Sequence, residues 1–283
     1  MNDNFPKLNS LNSSSIEDVR HFSAITSTFY DLNPGDTTVF PYCSPGDIKY
    51  AEDWKYPQFD YVMNHLGFRQ DKIPTETDIA VFGCSFTFGS GLPIDMLWHS
   101  LLANKLNTTI TNYGLAGASV ESIIDIALIV SNHTKINKIV FLLPAYSRIQ
   151  IAKSSPYPRD EGKVNYLSLI PNHVSMLCKA YGIESDDFFK VIPDEEMYKI
   201  MKNKLYLVDY VLKQKNIKTY YSSWDPDTYN FLAKMELQGV VLPEWTSTGI
   251  ENPLEDLARD KMHPGIKHHT QFAEQIEEFI KDV

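Results

Sequence analysis

The sequence predicts an α/β protein built around a parallel sheet. Short apolar runs of strand length recur at DIAVFG (78–83), TTITNYG (108–114), KIVFLLPA (138–145) and IKTYYSSW (217–224). Amphipathic segments of helical period separate them, and a last one closes the chain. Strand–helix–strand–helix–strand at these lengths means βαβ units, hence parallel strands joined by right-handed crossovers.

DIAVFG reads as the first buried strand. Asp95 is the expected N-cap of MLWHSLLANKL, in which Met96, Leu97, Leu101 and Leu102 share one face. After TTITNYG, Ser119 is placed to cap VESIIDIALIVSN, whose Ile123, Ile124, Ala127 and Leu128 repeat at helical spacing. KIVFLLPA is the third strand, ended by Pro144. Residues 149–215 show no clear strand, and a helical insertion is expected there. Its marked element is PDEEMYKIMKNKLYLVDYVLKQK, with Asp194 at the start and Lys213 and Lys215 near the end, both complementing the helix dipole. IKTYYSSW returns as the fourth strand. The closing helix turns Phe272, Ala273, Ile276, Phe279 and Ile280 to one side. Residues 1–76 are polar and turn-rich, with NPGD at 33–36 and SPGD at 44–47. They are expected to form an arm of loops packing on the main domain, which runs over 77–283.

Composition limits the function. The 283 residues carry a formal charge of −10, from 26 basic and 36 acidic side chains. A nucleic-acid coat or a protein docked on anionic lipid needs clustered Lys and Arg, so neither partner is expected. Apolar residues make up 43%, enough for a full core. No apolar run reaches the roughly 20 residues of a membrane helix, and the amino terminus lacks the pattern of a signal peptide. A cytoplasmic protein is the plain expectation. Cys43, Cys84 and Cys178 are widely spaced and form neither a disulfide framework nor a zinc pattern. His263, His268 and His269 are close in sequence, but His268 and His269 fall on adjacent helix faces, so no metal and no cofactor is expected.

In an open parallel sheet, reactive groups gather at the carboxyl ends of the strands. Three loops there carry candidate chemistry. In Gly83-Cys84-Ser85-Phe86-Thr87-Phe88-Gly89, Ser85 leaves the first strand where a hydroxyl can act as nucleophile, though such a Ser is also ordinary turn chemistry. In Asn112-Tyr113-Gly114-Leu115-Ala116-Gly117-Ala118-Ser119, the Gly117 amide lies beside a helix start and is a candidate oxyanion donor, or simply part of a tight turn. In Asp260-Lys261-Met262-His263-Pro264-Gly265, a carboxylate three residues before a histidine can fix its tautomer and leave the other nitrogen as a base. The structural alternative is a helix-start Asp beside an exposed His.

Together the three loops resemble the SGNH (GDSL-type) hydrolase family. FGCSFTFG is similar to its first block, NYGLAGAS to its second and DKMHPG to its terminal D-x-x-H-P block, while NHLGFR (64–69) resembles a stretch that precedes the first block in many members. The resemblance implies a three-layer α/β/α sandwich with a flavodoxin-like parallel sheet. It implies a carboxylic ester hydrolase, often a deacetylase acting on carbohydrate. By position, Ser85 would be the nucleophile, His263 the general base and Asp260 its orienting carboxylate. The amides of Ser85 and Gly117 would form the oxyanion hole.

Two positions depart from the family pattern. Cys84 stands where the first block has Asp; its side chain is expected to point away from Ser85 and to be structural. The third block lacks its Asn. Tyr146, Ser147 and Arg148 occupy that region as candidate oxyanion or substrate contacts, and Arg148 is alternatively a holder of an anionic substrate group or a structural ion-pair partner. Two alternative functions stand beside hydrolysis. One is a catalytically weak or inactive binding module, for example in a virion or a homo-oligomer assembled through the amino-terminal arm. The other is an acyltransferase using the same acyl-enzyme. The expected partner is an acylated small molecule or glycan.

Overall fold

A computed structural model describes residues 37–41, 59–154, 164–169, 194–246, 256–260 and 262–281; side chains at 38–41, 151–154, 164–169 and 194 are outside that description. Five strands form one sheet in the order β4-β3-β5-β8-β9, where β3 is Glu76–Gly83, β4 Ile110–Asn112, β5 Lys135–Leu143, β8 Lys218–Ser223 and β9 Val240–Val241. Every neighbouring pair in it is parallel. Counted along this sheet alone, the order is 2-1-3-4-5, the flavodoxin-like winding. The expected fold class is therefore the one observed, and its topological switch point lies between β3 and β5.

Period-two alternation divides the core. Ala80 and Phe82 of β3 and Ile139, Phe141 and Leu143 of β5 face α3 (Val120–His133) and α4 (Asp194–Gln214). Ile79, Val81, Val140 and Leu142 face the opposite way, onto Trp98 and Leu102 of α2 (Trp98–Leu106) and Phe272, Ala273 and Ile276 of α6 (Ile266–Ile280). Helices on both faces make the three layers. Phe141 lies stacked on Tyr221 with ring centroids 5.2 Å apart, and truncating such a core phenylalanine to alanine costs about 3–5 kcal/mol.

Ser119 caps α3 as expected, its side chain accepting from Ser122 N at 3.2 Å. Asp95 does not cap α2. It lies in a 3₁₀ turn, Ile94–Met96, and the α-helix starts later with Leu97 at its N-cap position. The 149–215 stretch also differs from expectation, because β6 (Ile149–Ser154) and β7 (Val164–Leu169) pair antiparallel within it. IQIAKS and VNYLSL are short and partly polar, as strands outside a main sheet tend to be, so apolar runs did not reveal them. The two-residue β9 and the helix α5 (Pro226–Leu232) were likewise not anticipated. Within 1–76, β1 (Thr37–Pro41) pairs antiparallel with β2 (Asp60–Asn64). Both turn motifs of the arm, Trp54, Cys43 and Cys178 lie outside the described residues.

Candidate active site

The chain leaves β3 at Gly83 and turns at once into a short helix, α1 (Ser85–Phe88). Close packing permits the turn. A side chain at Gly83 would approach Thr87 Oγ1 to 2.1 Å, and one at Gly114 would approach Phe88 N to 2.4 Å. Asn112 secures the arrangement from the end of β4. Its amide donates to the Thr87 carbonyl at 3.0 Å, and its own oxygen accepts from Gly114 N at 2.8 Å.

Arg69 braces the same loop from outside the sheet. Its guanidinium, buried within NHLGFR, donates to the carbonyls of Phe88 (3.3 Å), Gly89 (2.7 Å) and Leu92 (2.7 Å) and lies 4.3 Å from the Tyr61 ring centroid. Burial lowers its pKa to about 10 against the raising influence of Tyr61 and Asp95, which leaves it a cation at neutral pH. The Tyr61 hydroxyl accepts from Gly91 N at 2.7 Å. Tyr61 and Arg69 therefore both contact the loop that follows Ser85.

Gly91 joins that loop to the Asp260 loop. It sits at φ +79, and its carbonyl accepts from Arg259 N at 3.0 Å; a Cβ there would lie 3.2 Å from Asp260 Cγ. Asp260 and His263 then form a short polar pair, Oδ2 to Nδ1 at 2.6 Å. Oδ1 of the same carboxylate accepts the backbone N–H groups of Met262 and His263, each at 3.0 Å. Burial pushes the Asp260 pKa up, but the hydrogen bonds and charge of His263 and the Met262 amide outweigh it, so the carboxyl titrates below its usual 3.8. An ionised carboxylate only accepts, so His263 Nδ1 carries the proton of this bond. In neutral His263 the free electron pair is then on Nε2. The Phe86 ring stands edge-on to the imidazole, centroids 5.9 Å apart.

Among the described residues no hydrogen bond joins Ser85 to this pair. Ser85 is buried, and among the described residues the polar partner of its Oγ is Cys84 Sγ, at 3.9 Å. Catalytic hydrogen bonds are commonly long or unformed before substrate binds. Cys84 itself is fully buried and receives the Trp224 indole N–H at 3.2 Å. Gly117 sits at φ +78, a left-handed conformation that favours glycine, in the turn that precedes the Ser119 cap. Ser85 opens α1, so its amide belongs to the first turn, where N–H groups have no intrahelical acceptor.

Of the candidates after β5, Tyr146 is tied to α5 through its amide, which donates to Thr228 Oγ1 at 2.9 Å. Ser147 is half-buried in the turn. Arg148 is buried, with its guanidinium carbon 5.1 Å from the Trp224 ring centroid and Nη1 3.4 Å from the Ala118 carbonyl. Trp224 in turn stacks on Phe86 at 4.8 Å. The sequence set Trp224 at the end of the fourth strand without giving it a role at the site. Its position directly after the fourth strand, at the carboxyl edge, was the signal that could have found it.

Comparison with known proteins finds similar chains among solved structures. No protein-family profile matches the chain, and no curated protein sequence does. Solved structures similar to it include the psychrotrophic esterase EstA from Pseudoalteromonas sp., at 12% identity and TM-score 0.44 over 73% of this chain and 100% of that one. AlinE4, described as an SGNH-hydrolase family esterase, is 14% identical with TM-score 0.40, covering 72% and 95%. TesA is 12% identical with TM-score 0.47, covering 72% and 98%. At TM-scores below 0.5 these likenesses add nothing to the sheet order, which defines the fold by itself.

Proposed function

We propose that the chain is a serine esterase of the SGNH type that removes an O-acyl group, in the simplest case acetyl from a carbohydrate hydroxyl. The observation that carries the reading is the Asp260–His263 pair, held at 2.6 Å with Nε2 left as the base, on a loop joined through Gly91 to the Ser85 loop.

In this mechanism Ser85 Oγ attacks the ester carbonyl while its proton passes to His263 Nε2. The oxyanion is met by the amides of Ser85 and Gly117. Loss of one such donor typically costs roughly 10²–10³ in rate. His263 next protonates the leaving alcohol, and the acyl group remains on Ser85. Water, deprotonated by His263, then attacks the acyl-enzyme, releasing the acid and regenerating Ser85. Asp260 stays ionised throughout and stabilises the imidazolium that forms twice per cycle.

Ser85→Ala tests this. It is expected to abolish hydrolysis of 4-nitrophenyl acetate while the circular dichroism spectrum is unchanged; wild-type protein inert toward acyl esters would refute the reading. A second reading, a binding module that keeps the hydrolase fold, is favoured by one observation, the Ser85 hydroxyl resting on Cys84 Sγ with no bond to His263. That reading expects the wild type and Ser85→Ala to be equally inactive.

A further inference from the structure

Arg148 is a buried cation that, among the described residues, uses little of its hydrogen-bonding capacity. A guanidinium offers five N–H donors in a fixed fork, and burying its charge is costly unless an anion or several acceptors meet it. Arg69 shows how this chain satisfies such a group, with three carbonyl acceptors. Arg148 is only 9% exposed, yet among the described residues it makes one long bond, 3.4 Å to the Ala118 carbonyl, and no carboxylate lies within 4.0 Å of it. Glu121 lines the same small cavity as Arg148, of about 30 Å³, but its carboxylate accepts from Gln150 N at 3.2 Å instead. A sparsely bonded guanidinium fork thus stands just beyond the carboxyl end of β5.

Its placement is specific. Arg148 stands over Trp224, Trp224 stacks on Phe86, and Phe86 meets His263 edge-on, so a continuous chain of contacts runs from the guanidinium to the base. The Ala118 carbonyl that it touches follows Gly117, the candidate oxyanion donor. A substrate with its ester at Ser85 that extends along this chain of contacts would bring a neighbouring group to the fork.

We propose that Arg148 is a substrate-binding residue that pairs with a carboxylate carried by the ester substrate, which makes acidic O-acyl compounds the substrate class. The proposal rests on the esterase reading for the position of the ester. It gives the preference a physical source, because a chain of formal charge −10 offers no general attraction to anions. A planar fork and a carboxylate match in bidentate geometry, which lysine cannot reproduce.

The test uses binding of unreactive amide analogues, so that its outcome is independent of turnover. Calorimetric titration would compare 4-acetamidobenzoate, with its carboxylate on the leaving-group side, and N-phenylsuccinamate, with its carboxylate on the acyl side, each against its own methyl ester. Wild-type protein is expected to bind one of the acids at least tenfold more tightly than its ester, and which acid it is assigns the side. Arg148→Gln is expected to remove that preference, and Arg148→Lys to retain part of it. Equal binding of acid and ester in both pairs, no binding of either acid at millimolar concentration, or equal weakening of acid and ester by Arg148→Gln would each overturn the proposal. The wild-type comparison stands even if Arg148→Gln does not fold. Failure of the esterase reading shows separately, as absent turnover of 4-nitrophenyl acetate.

Discussion

Two Asp–His pairs flank the same turn, and they serve different ends. Asp256 and His268 meet at 2.8 Å, Asp260 and His263 at 2.6 Å, so distance alone does not separate them. Context does. His268 is in the first turn of α6, whose N-cap, Gly265, has no side chain to accept an N–H. Asp256 supplies that acceptor from outside the helix, taking His268 N at 3.1 Å on the same oxygen that meets the ring, while its backbone carbonyl takes Gly265 N at 2.8 Å. The pair is a remote cap, with its charge near the positive end of the helix. His263 lies before the helix, faces Phe86 at the carboxyl edge of the sheet, and has no helix end to satisfy. A carboxylate–imidazole pair is thus a catalytic candidate by where its second nitrogen is left, not by its length.

Variants of the two pairs should separate cleanly. Asp260→Asn is expected to lower turnover of 4-nitrophenyl acetate by roughly 10⁴, the scale of disturbing such a tautomer elsewhere. Its denaturation midpoint should stay close to wild type, as steady-state kinetics and thermal melts would report. Equal activity in Asp260→Asn would remove the distinction between the pairs.

The histidines without carboxylate partners govern the response to acid. Burial, reinforced by the Arg69 cation, lowers the His99 pKa to about 3, and burial with nearby His99 and His268 holds His269 well below 6.5. Both are neutral in the folded state and take up protons on unfolding. Their stabilising effect is complete above about pH 6.5 and is lost as pH falls below it, at up to about 1.4 kcal/mol per pH unit for each. The Asp260 carboxylate, depressed below 3.8, keeps its contribution through that window and loses it only at lower pH. Urea unfolding between pH 7 and 5 should show this slope, and His99→Gln should lessen it. An unchanged slope would mean that His99 is not buried neutral.

Smaller effects are expected at the cap. Asp256→Asn should destabilise by about 0.5–2 kcal/mol, the range for losing a helix cap, with turnover within about threefold of wild type. The smallest change is predicted for Cys84→Ala. Its thiol receives the Trp224 N–H within the core, so turnover should fall only a few-fold, and retained activity would exclude Cys84 as the nucleophile.

Much of this was legible in the sequence because apolar runs and helix caps are local. Phe82, Phe141 and the Ser119 cap could be read from neighbours within a few residues. The Asp260–His263 spacing was readable for the same reason. What was hidden depends on contacts across the chain. Asp95 resembles an N-cap, yet the chain passes first through a 3₁₀ turn that its own residues do not announce. Asp256 caps a helix that starts ten residues later, and the pairing of β6 with β7 joins segments without apolar runs. The Arg148–Trp224 contact spans 76 positions and exists only because the sheet sets β5 beside β8.

The central claim is that Ser85 is a nucleophile activated by the Asp260–His263 pair. Peptide-mapped mass spectrometry after treatment with a fluorophosphonate tests it most directly. A single adduct is expected, on Ser85, that forms in wild type and fails to form in His263→Ala. No adduct on wild type, or an adduct on Ser85 that forms equally fast without His263, would contradict it.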